Sequence, residues 1–264
     1  MCENAYLTEP LKLISIRKET EIDFTFKVEY NKPLLPGQFL ELSIPGVGEA
    51  PISVSDFGDG YLDLTIRKVG RVTEQIFEMR PGDVIYARGP YGNGFDCKLY
   101  ENKDLIVVAG GTGLAPVKNL INRFVSNKGL LKSFTLIIGF KSPEDILFAD
   151  EIRQWESSAN VCLTVDRATG DWKGRTGLVT KYIEELEIGD PASAEAIVVG
   201  PPMMMKFAVL GLMKKNLPKQ NIWVSFERKM ACGIGKCGHC KIDDTYICLD
   251  GPVFNYTKAE KLLD

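Results

Sequence analysis

The sequence contains very little histidine: His239 is the one histidine among 264 residues, and it lies inside a cluster of cysteines. Ser-His-Asp and Cys-His catalysis both need a histidine as general base, so the sequence argues against them. Long hydrophobic runs are also missing, and nothing approaches the roughly 18 consecutive apolar residues that a membrane-spanning helix needs. We therefore expect neither nucleophilic catalysis of this type nor a membrane span.

An excess of charge of either sign is absent as well. The 32 Lys and Arg residues nearly balance 35 Asp and Glu residues, which gives a formal charge of −3 and argues against a nucleic-acid partner. The first four residues lack the basic start and apolar run of a secretory signal, so we expect a cytoplasmic protein. With 45% hydrophobic and 25% charged residues, the composition is that of a soluble globular protein.

Cysteine is abundant in one place. Four of the seven cysteines fall between residues 232 and 248, in the pattern Cys232-x4-Cys237-x2-Cys240-x7-Cys248. An odd number of cysteines in a cytoplasmic chain argues against a disulfide framework and favours metal binding. The spacings of the first three cysteines, x4 and x2, are those of plant-type [2Fe–2S] ligation. A structural zinc site is the alternative, although it usually shows two C-x2-C pairs.

A Rieske centre needs two histidines and is excluded. His239 is therefore predicted to be a loop residue near the cluster that tunes it, not a ligand. Cys2, Cys97 and Cys162 receive no role beyond that of small buried hydrophobic residues.

The pattern of predicted secondary structure changes along the chain. Short strands separated by Gly and Pro turns predict an all-β antiparallel barrel over residues 1–97. Alternating strands and helices then predict a parallel-sheet α/β domain over residues 98–226, and a small module follows at 227–264. The predicted strands are Leu11–Arg17, Asp23–Glu29, Gln38–Ile44, Ile52–Ser55, Tyr61–Lys68, Asp83–Ala87, Leu105–Ala109, Phe134–Gly139, Val161–Val165, Ala196–Val199 and Ile222–Phe226; the predicted helices are Ala115–Ser126, Phe148–Trp155, Leu178–Leu186 and Met203–Lys215.

Two turns of the α/β domain predict nucleotide binding. The first follows a buried strand and opens a helix, a context in which free N–H groups and the helix dipole favour phosphate. Its residues are Gly110, Gly111, Thr112, Gly113, Leu114, Ala115 and Pro116. The second, Gly200-Pro201-Pro202-Met203, also lies between a strand and a helix, where the edge of a cofactor would rest. Each also has a simpler interpretation, an ordinary strand–helix turn for the first and packing at a helix start for the second.

Two weaker motifs lie in the barrel. Ala50-Pro51-Ile52-Ser53 is on a predicted strand, and residues 66–73 combine basic side chains with a turn into a short helical stretch. Guanidinium groups and free N–H groups together suit a pyrophosphate. Gly89-Pro90-Tyr91-Gly92-Asn93-Gly94-Phe95 then closes the barrel. Each of the first two motifs, taken alone, is also compatible with a plain strand and turn.

The order of these elements resembles the ferredoxin-NADP reductase-like flavoprotein family over nearly the whole chain. The cysteine module resembles the branch that contains electron-transfer subunits of dihydroorotate dehydrogenase, gamma subunits of sulfhydrogenases and B subunits of anaerobic sulfite reductases. The stretch 227–240, the short span to Cys248 and Asp250-Gly251-Pro252-Val253-Phe254 resemble the sulfite reductase subunits most.

This resemblance implies FAD on the barrel, NADH on the α/β domain and one [2Fe–2S] cluster held by the four cysteines. Ser53 matches the family residue that faces flavin N5, whereas the Arg and Tyr of the family motif Arg-x-Tyr-Ser are replaced here by Ala50 and Ile52. Arg67 is a hypothetical substitute for the missing charge. The implied FAD residues are Pro51, Ile52, Ser53, Val54, Ile66, Arg67, Lys68, Gly70, Val72 and Thr73.

The implied activity is that of an NAD(P)H-dependent flavoprotein oxidoreductase subunit. NADH is favoured over NADPH because the stretch after the second α/β strand carries Glu144 and Asp145 against one Lys141. The implied partners are a catalytic reductase subunit with sirohaem and iron–sulfur centres, which reduces sulfite to sulfide, and a ferredoxin-like subunit. Alternatives are a subunit of dihydroorotate dehydrogenase or of a sulfhydrogenase, a freestanding reductase that feeds an oxygenase, and a non-enzymatic redox sensor.

Overall fold

A computed structural model describes Asn4 and residues 6–262 of the chain. Within them, two compact units can be distinguished. The first comprises residues up to Phe95 together with Glu227–Val253, and the second comprises Asp96–Phe226 together with the residues from Phe254 onward. The predicted C-terminal module, 227–264, is thus shared between the two units. The division into three domains stays a prediction.

The first unit is built on a closed antiparallel barrel in the order β1-β2-β5-β4-β3-β6. Alternating side chains fill its interior, so that Phe26, Leu42, Leu62 and Leu64 are fully buried. The elements are β1 (Glu9–Lys18), β2 (Asp23–Glu29), β3 (Phe39–Ile44), β4 (Gly48–Gly58), β5 (Tyr61–Arg67), α1 (Arg71–Phe77) and β6 (Val84–Tyr91).

The second unit contains parallel strands in the order β10-β9-β8-β7-β11-β12, with β15 at the edge. Its central strands are buried along their whole length, as expected when helices cover both faces of a sheet. The elements are β7 (Asp104–Gly110), α2 (Ala115–Ser126), β8 (Ser133–Phe140), α3 (Ala149–Trp155), β9 (Asn160–Val165), β10 (Arg175–Thr176), α4 (Val179–Glu184), β11 (Ala194–Val199), α5 (Pro202–Lys214) and β12 (Ile222–Ser225).

The C-terminal residues add short elements to both units. They are β13 (Lys241–Ile242), β14 (Thr245–Tyr246), α6 (Ile247–Asp250), β15 (Val253–Asn255) and α7 (Tyr256–Ala259). The barrel, the parallel-sheet domain and the small C-terminal region confirm the predicted fold class. In the part of the chain that the structure describes, no helix combines the length and the apolar character needed to cross a bilayer.

Candidate functional sites

The four cysteines of the predicted metal site lie in residues 231–253 of the first unit, here called the cysteine loop, in which Cys248 is on α6. Cys232, Cys240 and Cys248 are buried, whereas Cys237 and His239 are exposed. The Cys237 amide donates to Cys232 Sγ and the Cys248 amide to Cys240 Sγ, so the four cysteines lie in two adjacent pairs. Two pairs of adjacent thiols are what a cluster with two irons and four cysteine ligands requires.

Backbone N–H groups of this loop are directed at the sulfur atoms. The Gly235 amide donates to Cys248 Sγ over 3.2 Å, and the Lys236 and Cys237 amides donate to Cys232 Sγ over 3.3 and 3.4 Å. The Cys248 amide lies 3.5 Å from Cys240 Sγ. Such hydrogen bonds stabilise negative charge on sulfur, and the residues therefore fit an iron–sulfur cluster.

The pKa values of two of these thiols, Cys248 and Cys237, are shifted in opposite directions. Desolvation raises the pKa of Cys248 to about 12, and the neighbouring Cys240 contributes to this rise. The pKa of Cys237 is lowered, first by the backbone N–H of His239. Because metal ligation requires thiolates, cluster binding has to displace a proton from Cys248. His239 contributes to the site through its backbone, and its predicted tuning role stays a prediction.

The barrel holds the first part of this loop through Arg88, a residue that the sequence analysis missed. Its side chain is only 2% exposed. Arg88 Nη1 donates to the carbonyl oxygen of Cys232 over 2.6 Å, and Nη2 donates to the carbonyl oxygen of Ala231 over 2.7 Å. Nη1 also lies 3.2 Å from the hydroxyl of Tyr91. One guanidinium group therefore connects strand β6 to the backbone of the first cysteine ligand.

Two carboxylates surround Arg88. Glu49 on β4 accepts from Arg88 Nη2 over 2.6 Å and from Nε over 3.1 Å. Glu41 on β3 pairs with Arg88 in the strand register, and among the described residues neither of its buried carboxyl oxygens has a hydrogen-bond partner. Desolvation raises the pKa of Glu41 to about 7, although Arg88 opposes the rise. Burial thus favours the neutral form of Glu41 beside the Arg88 guanidinium.

The predicted FAD residues are brought together on β4, β5 and the start of α1. Pro51, Ile52 and Ser53 are half-buried on β4. Val54 and Ile66 belong to the core of the barrel, so any contact they make with a cofactor is through the backbone. Helix α1 packs on β4, which pairs with β5, so the elements that carry the predicted FAD residues are neighbours.

The remaining predicted FAD residues already have partners within the chain. Arg67 Nε and Nη2 donate to the two carboxylate oxygens of Asp23, over 2.8 and 3.0 Å. Thr73 is buried, and its hydroxyl accepts from the amides of Val69 and Gly70 and donates to the Gly70 carbonyl. The Thr73 side chain thus caps α1, which fixes the turn that carries Gly70. Lys68 is exposed and Val72 is half-buried.

The predicted phosphate turn has the expected form, with one additional feature. A 3₁₀ turn, Gly111–Leu114, precedes α2, and Pro116 lies in the first turn of that helix, where its missing N–H costs nothing. A Cβ atom on Gly113 would lie 2.7 Å from the Cα of Gly200 and from the carbonyl oxygen of Val199. The two predicted nucleotide motifs are therefore in direct contact. Gly111 and Thr112 stay half-buried, so the turn fits a phosphate group.

The second nucleotide motif forms the start of α5. Pro201, Pro202 and Met203 are exposed, and the sulfur of Met204 would lie 2.3 Å from a Cβ on Gly110. Met204 therefore fills the space next to the phosphate turn. Met203 extends outward, 58% exposed, and its predicted contact with the nucleotide stays a prediction.

Three other cysteines had no predicted site. Cys162 is buried on β9, in agreement with the expectation of a small hydrophobic residue. Cys97 is only half-buried, and burial raises the pKa of both thiols. Cys2 lies outside the described residues.

Comparisons with protein families match three segments of the chain. Residues 12–95 match the oxidoreductase FAD-binding domain, and residues 107–209 match the oxidoreductase NAD-binding domain. Residues 227–260 match the iron-sulfur cluster binding domain of dihydroorotate dehydrogenase B. FAD, NAD and an iron–sulfur cluster are thus supported for the three segments in which the sequence predicts them.

Whole-chain relatives share this arrangement. The chain is 36% identical to the sulfhydrogenase 1 subunit gamma of Pyrococcus furiosus, over 96% of this chain and 92% of the relative. It is 34% identical to a probable dihydroorotate dehydrogenase B electron transfer subunit of Methanocaldococcus jannaschii, over 92% and 88%. Among solved structures, that of an NADH-dependent reduced ferredoxin-NADP oxidoreductase has a TM-score of 0.77 and 25% identity, and covers 100% of this chain and 94% of the other.

Proposed function

Because the chain belongs to the family of FAD- and NAD-binding electron-transfer subunits with an iron–sulfur domain, we propose that it carries electrons from NADH to a catalytic partner subunit. The electrons pass through FAD and a [2Fe–2S] cluster. The observation that carries this proposal is the arrangement of four cysteine thiols in two adjacent pairs, with backbone N–H groups directed at three of the sulfurs.

The pairing of the thiols favours two irons over one zinc ion. A structural zinc needs four ligands that converge on one point. Each iron of a [2Fe–2S] cluster instead takes two cysteines, which Cys232 with Cys237 and Cys240 with Cys248 provide.

A flavin held on the barrel would supply the conversion between a two-electron hydride donor and single electrons, which matches a one-electron cluster. The chain's own task is to bind and orient the cofactors. Ser53 and Pro51 on β4 would line the ring, and the capped turn at Gly70 would contact the pyrophosphate. Arg67 would supply positive charge there while Asp23 fixes its guanidinium group.

The role of Arg67 is testable by flavin titration. We expect Arg67→Ala to bind FAD at least tenfold more weakly, which corresponds to about 1.4 kcal/mol for one charge-assisted contact. Arg67→Lys keeps the charge and should recover part of the affinity. Arg80→Ala, an exposed arginine of the same unit outside the predicted FAD site, is the matched control. Unchanged FAD affinity in Arg67→Ala would remove Arg67 from the site.

The preference for NADH rests on charge. Ser142 donates to Asp145, and Thr169 donates to Glu144, so hydroxyl groups fix both acids after β8. An acidic edge suits ribose hydroxyls and repels a 2′-phosphate. The ratio of kcat/KM for the two nucleotides tests this, and a preference for NADPH would contradict it.

For the partner, we propose a sirohaem-containing subunit that reduces sulfite to sulfide, assisted by a ferredoxin-like subunit. The support is the sequence of the cysteine module, above all the short span from Cys240 to Cys248. A sulfhydrogenase partner is the second candidate, favoured by the two sulfhydrogenase gamma subunits that are 36% and 38% identical to this chain.

Anaerobic purification followed by an absorption spectrum tests the central proposal. Flavin and iron–sulfur bands should both bleach on addition of NADH, and iron and FAD should be present at two to one. Zinc in place of iron would refute the cluster, and bands that ignore both nucleotides would favour a redox sensor. Adding purified catalytic subunits of each candidate complex then identifies the partner by NADH oxidation that depends on sulfite, protons or orotate.

A further inference from the structure

We propose that Arg88 and Asn93 are positioning residues that fix the two ends of the cysteine loop on the barrel, and that Arg88 sets the reduction potential of the bound cluster through its buried positive charge. This inference rests on the proposed function, since it assumes that the loop holds an iron–sulfur cluster. It assigns a role to two side chains that are not ligands.

The segment after Ala87 contacts the loop at both ends. Arg88 holds the carbonyl oxygens of Ala231 and Cys232, as described above. Asn93 Nδ2 donates to the Val253 carbonyl over 2.8 Å, and Asn93 Oδ1 accepts from the Val253 amide over 3.2 Å. Six residues of one strand end thereby fix the positions at which the cysteine loop begins and ends.

The ring of Tyr91 completes the attachment between these two ends. A Cβ atom on Gly233 would lie 2.6 Å from this ring, and the ring lies 5.7 Å from that of Phe39. Since Gly233 follows Cys232 directly, the Tyr91 ring contacts the residue after the first cysteine, and Arg88 holds the carbonyl oxygen of that cysteine. A loop fixed in this way presents its thiols with little reorganisation.

The charge of Arg88 acts on the cluster because it is buried. Arginine stays protonated in proteins, and a guanidinium shielded from water interacts with nearby charge more strongly than an exposed one. Reduction adds one negative charge to the cluster, so a cation bonded to the Cys232 carbonyl favours the reduced form. Glu49, bonded to the same guanidinium, opposes this effect.

The attachment also reaches the predicted flavin strand. Arg88 on β6 pairs with Glu41 on β3, which in turn pairs with Pro51 on β4. Glu49, the carboxylate partner of Arg88, lies on β4 two residues before Pro51. The loop is therefore fixed to the same strands that carry the predicted flavin contacts.

The test uses four variants of the full chain, purified without oxygen. Arg88→Gln removes the charge, Arg88→Lys keeps the charge but loses the planar fork, Glu49→Gln removes the opposing charge, and Asn93→Ala releases the far end of the loop. Arg80→Gln, an exposed arginine of the same unit, is the matched control. The cluster potential is measured by electron paramagnetic resonance during a redox titration, and loop order by hydrogen exchange of the amides 231–253.

At a fixed electrode potential, we expect Arg88→Gln to decrease the ratio of reduced to oxidised cluster about tenfold, which is about 59 mV for one electron. Glu49→Gln should shift the potential in the opposite direction, and Arg88→Lys should stay close to the wild type. Exchange of the Gly235, Lys236 and Cys237 amides should accelerate in both Arg88 variants. Asn93→Ala should accelerate exchange near Val253 without moving the potential.

Equal potentials for Arg88→Gln and Arg80→Gln would overturn the charge effect, as would shifts of one sign in Arg88→Gln and Glu49→Gln. If Arg88→Gln does not fold, the charge effect is tested by the cluster potentials of Glu49→Gln and Arg88→Lys. Unchanged exchange in all Arg88 and Asn93 variants would overturn the positioning role. A wild-type chain that purifies without a cluster would refute the proposed function. Hydrogen exchange is also measured after iron is removed by chelation, so the attachment of the loop is tested whether or not a cluster is bound.

Discussion

Two glycine-rich segments of this chain present backbone N–H groups to a predicted ligand, and they are held in different ways. The turn Gly110–Pro116 lies between a strand and a helix that are its neighbours in sequence, and it packs on Gly200 through close backbone contact. The cysteine loop depends on Arg88, which is 144 residues from Cys232, and on buried charges around it. Close packing shapes the first segment, whereas long-range polar contacts shape the second.

This difference predicts that pH changes affect the first unit through Glu41. The folded-state pKa of Glu41 is raised to about 7, so between pH 4.5 and 7 the unfolded chain loses a proton that the folded chain keeps. The stability contributed by neutral Glu41 is thus present below pH 4.5 and is lost as pH rises through 7, a loss of about 3 kcal/mol. Glu41→Gln should remove this loss.

Hydrogen exchange of barrel amides as a function of pH, corrected for intrinsic rates, measures the effect in the first unit. Glu74→Gln, on the exposed side of α1, provides a control that should follow the wild type. If stability depends on pH in the same way in Glu41→Gln and in the wild type, Glu41 does not titrate as expected and the buried carboxyl has another partner. The contrast between the two segments would then not be electrostatic.

Packing at the phosphate turn predicts the next largest effect. In Gly113→Ala the new methyl group would meet the backbone of Val199 and Gly200 at 2.7 Å, and backbone atoms have little freedom to move. We expect a loss of about 2 kcal/mol in unfolding free energy, together with weaker NADH binding. Tryptophan fluorescence in urea reports this unit selectively, because Trp155, Trp172 and Trp223 all belong to it.

Gly189→Ala is the matched control in the same unit, since a Cβ there would meet no atom within 4 Å. Equal midpoints for Gly113→Ala and Gly189→Ala would mean that the two nucleotide motifs can separate without cost. In that case the turn would not depend on its neighbour, and the contrast with the cysteine loop would weaken.

The same contrast explains what could be predicted from the sequence. Helix α2 was predicted with its exact bounds, and the phosphate turn was recognised, because both depend on residues close in sequence. Strand β4 was predicted only for Ile52–Ser55, whereas it spans Gly48–Gly58, because pairing with β3 and β5 extends it into residues of low strand propensity.

Arg88 and Glu41 were missed for a related reason. On an alternating strand, Glu41 lies between Leu40 and Leu42, which face the barrel core, so its own side chain is expected in solvent. Both residues are buried nevertheless, at 4% and 0% exposure. The cysteine loop bonded to Arg88 covers this outer face of the barrel, and a single sequence contains no signal for contacts over 140 residues. A charged residue directly before Gly89-Pro90-Tyr91-Gly92 was the one local indication.

The smallest predicted effect compares two glycines within the cysteine loop. Gly233 and Gly238 both have positive φ angles, 74° and 80°. Alanine at either site therefore destabilises the folded loop by about 1 kcal/mol through backbone strain. A Cβ at Gly238 meets nothing within 4 Å, whereas at Gly233 it meets the Tyr91 ring. Because Arg88 and Phe39 hold that ring, Gly233→Ala should cost about 1 kcal/mol more than Gly238→Ala. The iron retained per chain under a chelator measures the difference. Equal iron retention would mean that the Tyr91 ring moves aside without a free-energy cost. The conformation of the cysteine loop would then depend on residues close in sequence, as that of the phosphate turn does.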